Sequence, residues 1–580
     1  MSKQNNIDFT QKLWVRVLCG FLGALMVFGI VAMVISAAIS SVAEEEKADA
    51  ARSTYAVEKD EISVGLYYSS TAVQSYTLSS DGTLTVKNDL FSVDAESDTV
   101  VVSVDDNEYY YNGKITNNPM GVSVLGGYHV RISFLQSGGG TSSPDADNPV
   151  FIVPGVSGGN NEGSIFTKDN ISEYIEQFNS SDTATKLGVY AFPTYSDNEF
   201  YMSVGDFTTE DDALNMLTQL QNYYILNAEI SSPDKDMLTV HTDEYKILLE
   251  TDDSANLQIH TSDNQVISNL SNEDYYGYFS FYRENGKEKD AIQVINTLDI
   301  DGYVKSVLSV ELASSYSAEM LKASAVVFRT AAYKKLIDHK LRNFDVCADS
   351  HCQKYIGCAA VSDRISNAVD AVKGIVLTYD SELIYPVYSK SCGSTTVSLK
   401  DAIGKDIEYL KSVQTNWEMI DSVYADWKYS ISPSELYNKL YNAGYTGLES
   451  SVKSITVNSR SDNSIYVTRI TFTDILGNSV TVEGSERIRT VLDGIVDSAA
   501  FIVGKSGSTV SYTYYGESGE MVEGKTTLEG VVGNFVFSGE GIGSGVGYSL
   551  SGAQILAEQG IKYDEILTRY YQGTELSDLK

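Results

Sequence analysis

An uncharged run near the start constrains this chain more than any other feature. From Val17 to Ala38, 22 consecutive residues (VLCGFLGALMVFGIVAMVISAA) carry no charge. At 1.5 Å per helical residue the run is about 33 Å long, enough for a hydrocarbon core of ~30 Å. Lys3, Lys12 and Arg16 precede it, and Glu44, Glu45 and Glu46 follow. Because positive flanks stay in the cytoplasm, the pattern predicts a cytoplasmic tail over 1–16 and a transmembrane helix over 17–39. The expected protein is therefore a single-pass cell-membrane protein with a large extracellular C-terminal part. A cleaved signal peptide is the competing expectation, since Ser41-Val42-Ala43 resembles a small-residue cleavage site. Signal h-regions of ~7–15 residues are shorter than this run.

The outer part has room for several units: 580 residues at ~150 per domain suggest about four. Its charge excludes one class of partner. Lysine and arginine number 42 and aspartate and glutamate 78, leaving −36. Such a chain has no basic stripe to neutralise phosphates, so no nucleic-acid partner is expected. The 40 tyrosines and 19 phenylalanines supply large areas to bury, so most of the chain should fold. The cysteines are Cys19, Cys347, Cys352, Cys358 and Cys392. Five are too few for a disulfide scaffold, but three fall within twelve residues.

Residues 57–135 read as a β-rich module. Ile62–Tyr68 and Thr99–Val104 have strand composition, and Asp81-Gly82 marks a hairpin turn. A linker rich in Gly, Ser, Pro, Asn and Asp spans 136–165. Within 166–245, Phe200–Gly205 reads as a strand, Asp206–Thr209 as a turn and Glu210–Tyr223 as a helix. Ala213, Leu214, Leu217 and Leu220 give that helix an apolar face, and Thr209 caps it with Asp212 reaching back. The run YMSVGDFTTEDDALNMLTQLQ resembles the first half of a SPOR domain, a module that binds peptidoglycan glycan strands. On its residues alone, a plain β-α unit packing on its neighbours explains it equally.

From 246 to 580 the pattern is one large α+β domain. A helical segment starting at Tyr303 ends in Ser309-Val310-Glu311-Leu312, and Ser317 is a plausible N-cap for a helix over Ala318–His339. That helix is apolar nearly all round until Ala332, which predicts burial and places Glu311 at the mouth of a buried hairpin. Taken alone, a Glu before a turn is ordinarily a solvated loop residue. The whole therefore reads as α+β: an N-terminal transmembrane helix, β-rich and SPOR-like α/β modules, then a large mixed domain.

This last region resembles the SpoIID/LytB family of peptidoglycan-acting proteins. Tyr303–Thr330 looks like the family's catalytic run, with Glu311 and Leu321-Lys322-Ala323 at matching spacing. Phe344-Asp345-Val346-Cys347 and Ser350-His351-Cys352-Gln353 look like its cysteine loop. Gly541–Gly573 looks like its C-terminal signature, and Trp427, Ser432–Leu436 and Arg487-Ile488-Arg489 occur in the expected order. The resemblance implies a lytic transglycosylase that cleaves MurNAc–GlcNAc strands to 1,6-anhydro products, in wall remodelling or sporulation. It implies Glu311 as the catalytic residue. Such a reaction needs one carboxyl group, because the sugar's own C6 hydroxyl replaces water as the attacking group, whereas hydrolytic glycosidases need two.

The resemblance also places Tyr388, Ser389, Lys390, Gly393, Ser394, Gly543, Ser544 and Gly545 in the substrate cleft. Here the sequence departs from the family. Ser389 and Ser544 stand at histidine places, Ser394 at a glycine, and Tyr548 and Leu550 where Met and Gln are usual. Losing two imidazoles and an amide removes groups that orient a sugar or the catalytic carboxyl. The competing expectation is thus a non-catalytic glycan-binding modifier that stimulates or recruits a wall amidase. No cofactor is required for the chemistry. Cys347, His351, Cys352 and Cys358 are the donor set for a structural zinc, and a disulfide, in which Cys392 could join any of the three other cysteines, is the alternative.

Overall fold

In a computed structural model of the chain, the described residues are 60–104, 128–137 and 166–579. Within these, 89, 96, 233–236, 244–245, 253–255, 263–265, 270, 285–290, 336–341, 350, 419–425, 463 and 516–519 are left out. The described structure is mixed α+β and rich in strands.

Two sheets build the first half, and their strands interleave along the chain. One runs in the order Val346–Cys347, Glu61–Tyr67, Ala291–Asp299, Tyr278–Glu284, Leu257–Thr261, Leu84–Lys87, Ser92–Asp94. Its Glu61–Tyr67 strand pairs antiparallel with Ala291–Asp299, Ile62 opposite Leu298, and parallel with Val346–Cys347. Segments more than two hundred residues apart thus share one sheet, and the pairing carries the N-terminal strand directly to the cysteine loop.

The second sheet has ten strands among the described residues. Four of them form a βαββαβ unit. Its strands Ala191–Ser196, Glu199–Phe207, Tyr128–Ser137 and Tyr224–Ser231 lie side by side in that order, with Ile171–Asn179, Asp182–Leu187 and Glu210–Leu220 as its helices. This is the ferredoxin-like arrangement, a scaffold that serves many functions. Tyr128–Ser137, the first strand, precedes the Gly- and Ser-rich stretch and pairs with strands that follow it, so in chain order the stretch falls between elements of the unit. In the helix, Thr209 accepts from the Asp212 amide at 3.2 Å, as the sequence predicts. The apolar face differs by one residue: Ala213, Met216 and Leu220 are buried, whereas Leu214 is 51 % exposed. The spacing i, i+3, i+7 keeps one stripe inward, and Leu214 falls off it.

The helices Ile300–Glu311 and Ala318–Lys335 form the hairpin at the centre of the second half. Asp363–Asp370, Leu550–Glu558 and Tyr563–Tyr570 pack around them. A second core lies beyond, where Leu436, Leu440, Val467, Ile470, Phe472 and Ile488 meet under the strands Val452–Arg460, Val467–Asp474 and Ser479–Glu483. Ser432 and Glu435 close a capping box at the start of Pro433–Asn442.

The expected fold class requires one correction. Among the described residues no helix is long and apolar enough to cross a membrane. The 18-residue helix Ala318–Lys335 is the longest described, and it carries Glu319, Lys322, Arg329, Lys334 and Lys335. Charges at that density are incompatible with hydrocarbon. The tail at 1–16, the segment at 17–39 and the cleavage-like motif at 41–43 lie outside the described residues.

Candidate functional site

Glu311 owes its place to both ends of its helix. The strand Ala291–Asp299 leads straight into Ile300–Glu311, and Asp299 caps the turn by accepting from Gly302 N at 2.9 Å. Ile300, Tyr303, Val304, Val307 and Leu308 fix the helix against the core. It ends at Glu311 because Leu312 is extended (φ −126°, ψ 135°). The next helix is docked by the C-terminal signature, where Gln554 Oε1 accepts from Ser317 N at 2.9 Å.

Glu311 is half-buried. Burial raises its pKa, and the charges of Lys354 and Lys390 pull it part of the way back. Gln353 Nε2 lies 3.5 Å from Glu311 Oε1 and donates to the Tyr388 hydroxyl at 3.0 Å. Burial and the nearby Glu311 charge hold the Tyr388 phenol well above its ordinary pKa, so it stays neutral. Three distant segments thus converge on one carboxyl: the hairpin, the cysteine loop and the Tyr388 loop. Gln353 and Lys354 are additions to the expected site residues; the sequence signal is that Gln353 ends the cysteine-loop motif and Lys354 follows it.

The cysteine loop gathers three of its four expected metal ligands. Donor atoms of Cys347, His351 and Cys352 all lie within 4.8 Å of one another. His351 Nδ1 is 3.4 Å from Cys352 Sγ and 3.7 Å from Cys347 Sγ. Asp349 Oδ1 accepts from the Cys347 thiol at 3.1 Å, and Tyr68 donates to Asp349 Oδ2 at 2.8 Å. Two thiolates and an imidazole fit zinc, which takes four tetrahedral N or S ligands and leaves one position for another donor. Cys358 lies outside the group: its amide donates to Asp274 O, and burial pushes its thiol up to about 12. No disulfide joins the four described cysteines.

The loop residues expected in the cleft divide into two sets. Tyr388 is linked to Glu311 through Gln353, which reaches both, and Lys390 acts on Glu311 through its charge. Ser389, Ser394 and Ser544 are at most 1 % exposed. Ser389 and Ser544, which stand at the two family histidine places, touch each other at 3.1 Å between hydroxyl oxygens. Ser389 Oγ also accepts from Gly545 N at 2.9 Å. The two departures are thus one buried contact, formed where Tyr388–Ser389 pairs in parallel with Tyr548–Ser549. Gly543 N donates to Asp497 O at 2.9 Å. Gly545 needs to be glycine: at φ +74° a Cβ would lie 2.1 Å from the Tyr466 hydroxyl. Ser394 is held by Glu540, which accepts from its amide and its hydroxyl, and Gly393 N donates to Ser391 Oγ at 3.3 Å.

Comparison with known proteins bears on this geometry. Residues 288–379 match the family model described as SpoIID, stage II sporulation protein. That span contains Glu311 and the whole cysteine loop. An uncharacterized protein of Brachyspira hyodysenteriae is 29 % identical over 311 residues, covering 53 % of this chain and 74 % of that protein. Stage II sporulation protein D of Bacillus subtilis is 24 % identical over 312 residues, 50 % of this chain and 78 % of the relative. The amidase enhancer of the same organism is 26 % identical over 295 residues, covering 47 % of this chain and 40 % of that protein.

Proposed function

The chain belongs to the SpoIID/LytB family, and from that premise we propose that it acts on peptidoglycan as a lytic transglycosylase. The observation that carries the reading is Glu311, a half-buried carboxyl of raised pKa with Gln353, Tyr388, Lys354 and Lys390 around it. As an acid it protonates the glycosidic oxygen as the C1–O bond breaks. The oxocarbenium-like centre is then attacked by the C6 hydroxyl of the same sugar, whose proton returns to the carboxylate. The 1,6-anhydro bond forms, atoms balance without water, and Glu311 ends protonated as it began. Gln353 aligns the carboxyl, while the two lysines favour its charged form after the first transfer.

Cys347, His351 and Cys352 would hold zinc, which when bound supplies structural cross-linking of the loop. The loop residues themselves do the site's work: Gln353 follows Cys352 and its amide is aimed at Glu311. Purified protein is expected to contain close to one zinc per chain, and Cys352→Ser to release it with a drop in thermal stability. Metal analysis showing none in wild type would contradict this.

One observation favours a second reading, a glycan-binding modifier of a wall amidase. The hydroxyls of Ser389, Ser394 and Ser544 are spent inside the protein. A SPOR-like role for the βαββαβ unit would suit either reading. Incubating the protein with purified wall separates them. Release of anhydro-muropeptides supports cleavage; intact glycan that co-sediments with the protein supports the modifier.

A further inference from the structure

Two carboxyl groups that the proposed reaction leaves unused lie behind the Tyr388–Thr396 loop. Glu418 is fully buried and Glu540 is 7 % exposed. Glu418 Oε2 accepts from Ser391 Oγ at 2.7 Å and Cys392 N at 3.2 Å. Glu540 Oε1 accepts from Ser394 N at 2.7 Å and Ser394 Oγ at 2.5 Å. The loop carbonyls are tied as well, Gly393 O by the Thr415 hydroxyl at 2.7 Å and Cys392 O by Tyr466 at 3.1 Å. Gly393 is pressed against one acid: a Cβ there would sit 2.8 Å from Glu540 Cγ. A buried carboxyl is costly, and among the described residues no cation forms an ion pair with either of these. Apolar side chains would fill the same space at lower cost, but they could not accept from the loop's amides and hydroxyls.

We infer that Glu418 and Glu540 are positioning residues, which hold the loop from behind so that Tyr388 and Lys390 stand against Glu311. The inference rests on the strand-cleavage reading and deepens it.

The protonation state has a definite sign. Burial raises both carboxyls to about 7, and hydrogen bonds pull each part of the way down, from Ser549, Ser391 and the Cys392 amide to Glu418 and from Ser394 to Glu540. Around Glu418 stand Glu540, Tyr466, Tyr570 and Cys392. Around Glu540 stand Asp426 and Tyr466, and it lines a cleft of about 610 Å³ shared with Lys428, Arg460 and Tyr512. A carboxyl whose pKa is raised when the loop is clamped binds its proton more tightly there than in an open, solvated loop. Protonation therefore favours the clamped loop: the effect is full below the ordinary carboxyl value of 4.5 and is lost as the pH rises from there to about 7. The bonding of Glu540 fits a neutral acid: both Ser394 donors use Oε1, which leaves Oε2 to carry the proton.

Glu540→Gln keeps the carbonyl acceptor and removes the titration, whereas Glu540→Ala removes both. Amide hydrogen exchange at Ser394, whose N–H donates to Glu540, corrected for the intrinsic effect of pH, reads the clamp without reference to activity. Protection should fall in wild type as pH rises from 4.5 to about 7, persist in Glu540→Gln, and be lost in Glu540→Ala at every pH while the helix Ala318–Lys335 stays protected. Anhydro-product release at saturating glycan should drop about tenfold or more in Glu540→Ala and stay within about threefold of wild type in Glu540→Gln. Unchanged exchange in Glu540→Ala overturns the clamp whatever the activity. Lost protection with an unchanged rate overturns the positioning role. Wild type that cleaves nothing overturns the positioning role together with strand cleavage, while the exchange data still report the clamp by themselves.

Discussion

Glu311→Gln should slow anhydro-product release by about 10²–10⁴-fold, a loss of roughly 3–5 kcal/mol of transition-state stabilisation. The amide is nearly isosteric with the acid, so Gln353 and the hairpin keep their packing. It has no acidic proton to give the departing glycosidic oxygen and cannot take one from the C6 hydroxyl. Folding and glycan binding should stay near wild type, because neither uses that proton. Glu319 is a control carboxylate eight residues on: Lys322 Nζ lies 2.9 Å from it and Tyr563 N donates to it at 3.1 Å, and these bonds lower its pKa. It is built to stay ionised. A product rate in Glu311→Gln equal to that of wild type would remove the enzyme reading.

The largest stability effect falls at Arg329, 1 % exposed in the middle of the second hairpin helix. Its Nε and Nη2 donate to Asp301 Oδ1 at 2.9 and 2.6 Å. Nη1 donates to Val372 O at 2.8 Å and Ile375 O at 3.2 Å, and Nη2 reaches Val369 O at 3.3 Å. One guanidinium thus joins both hairpin helices to the segment leading into the strand Ile375–Tyr379. Arg329→Ala leaves Asp301 and three carbonyls without this donor, so denaturant unfolding should show a loss of about 3–5 kcal/mol. Replacing Arg329 and Asp301 together with Met and Leu should recover much of it, since the uncompensated charge goes too. A loss below about 1 kcal/mol would mean the pair behaves like an exposed one.

Local features were legible in the sequence. The Thr209 cap is written in three or four adjacent residues, and so is the turn after Glu311 that ends its helix. What the sequence hid is non-local. Tyr128–Ser137 pairs with Glu199–Phe207 and Tyr224–Ser231 across a long polar stretch, and strand composition does not name its partner. Arg329 interrupts a helix that reads as apolar, and only Asp301 on the first hairpin helix and the carbonyls of a distant turn explain how its charge is tolerated. Ser389 and Ser544 read as two separate losses because their contact spans 155 positions. The cysteine loop was visible as a donor cluster, but Cys358 could not be separated from the others without knowing that it turns toward Asp274. Glu418 and Glu540 carry no motif, since what marks a buried carboxyl is its surroundings.

The central claim is that one carboxyl cleaves the strand and water takes no part. Digestion of purified glycan in ¹⁸O-labelled water, followed by mass analysis of the new ends, tests it directly. The account predicts anhydro ends with no ¹⁸O at the anomeric carbon. Reducing ends that carry one ¹⁸O would contradict it, because they require a water nucleophile and a second group to activate it.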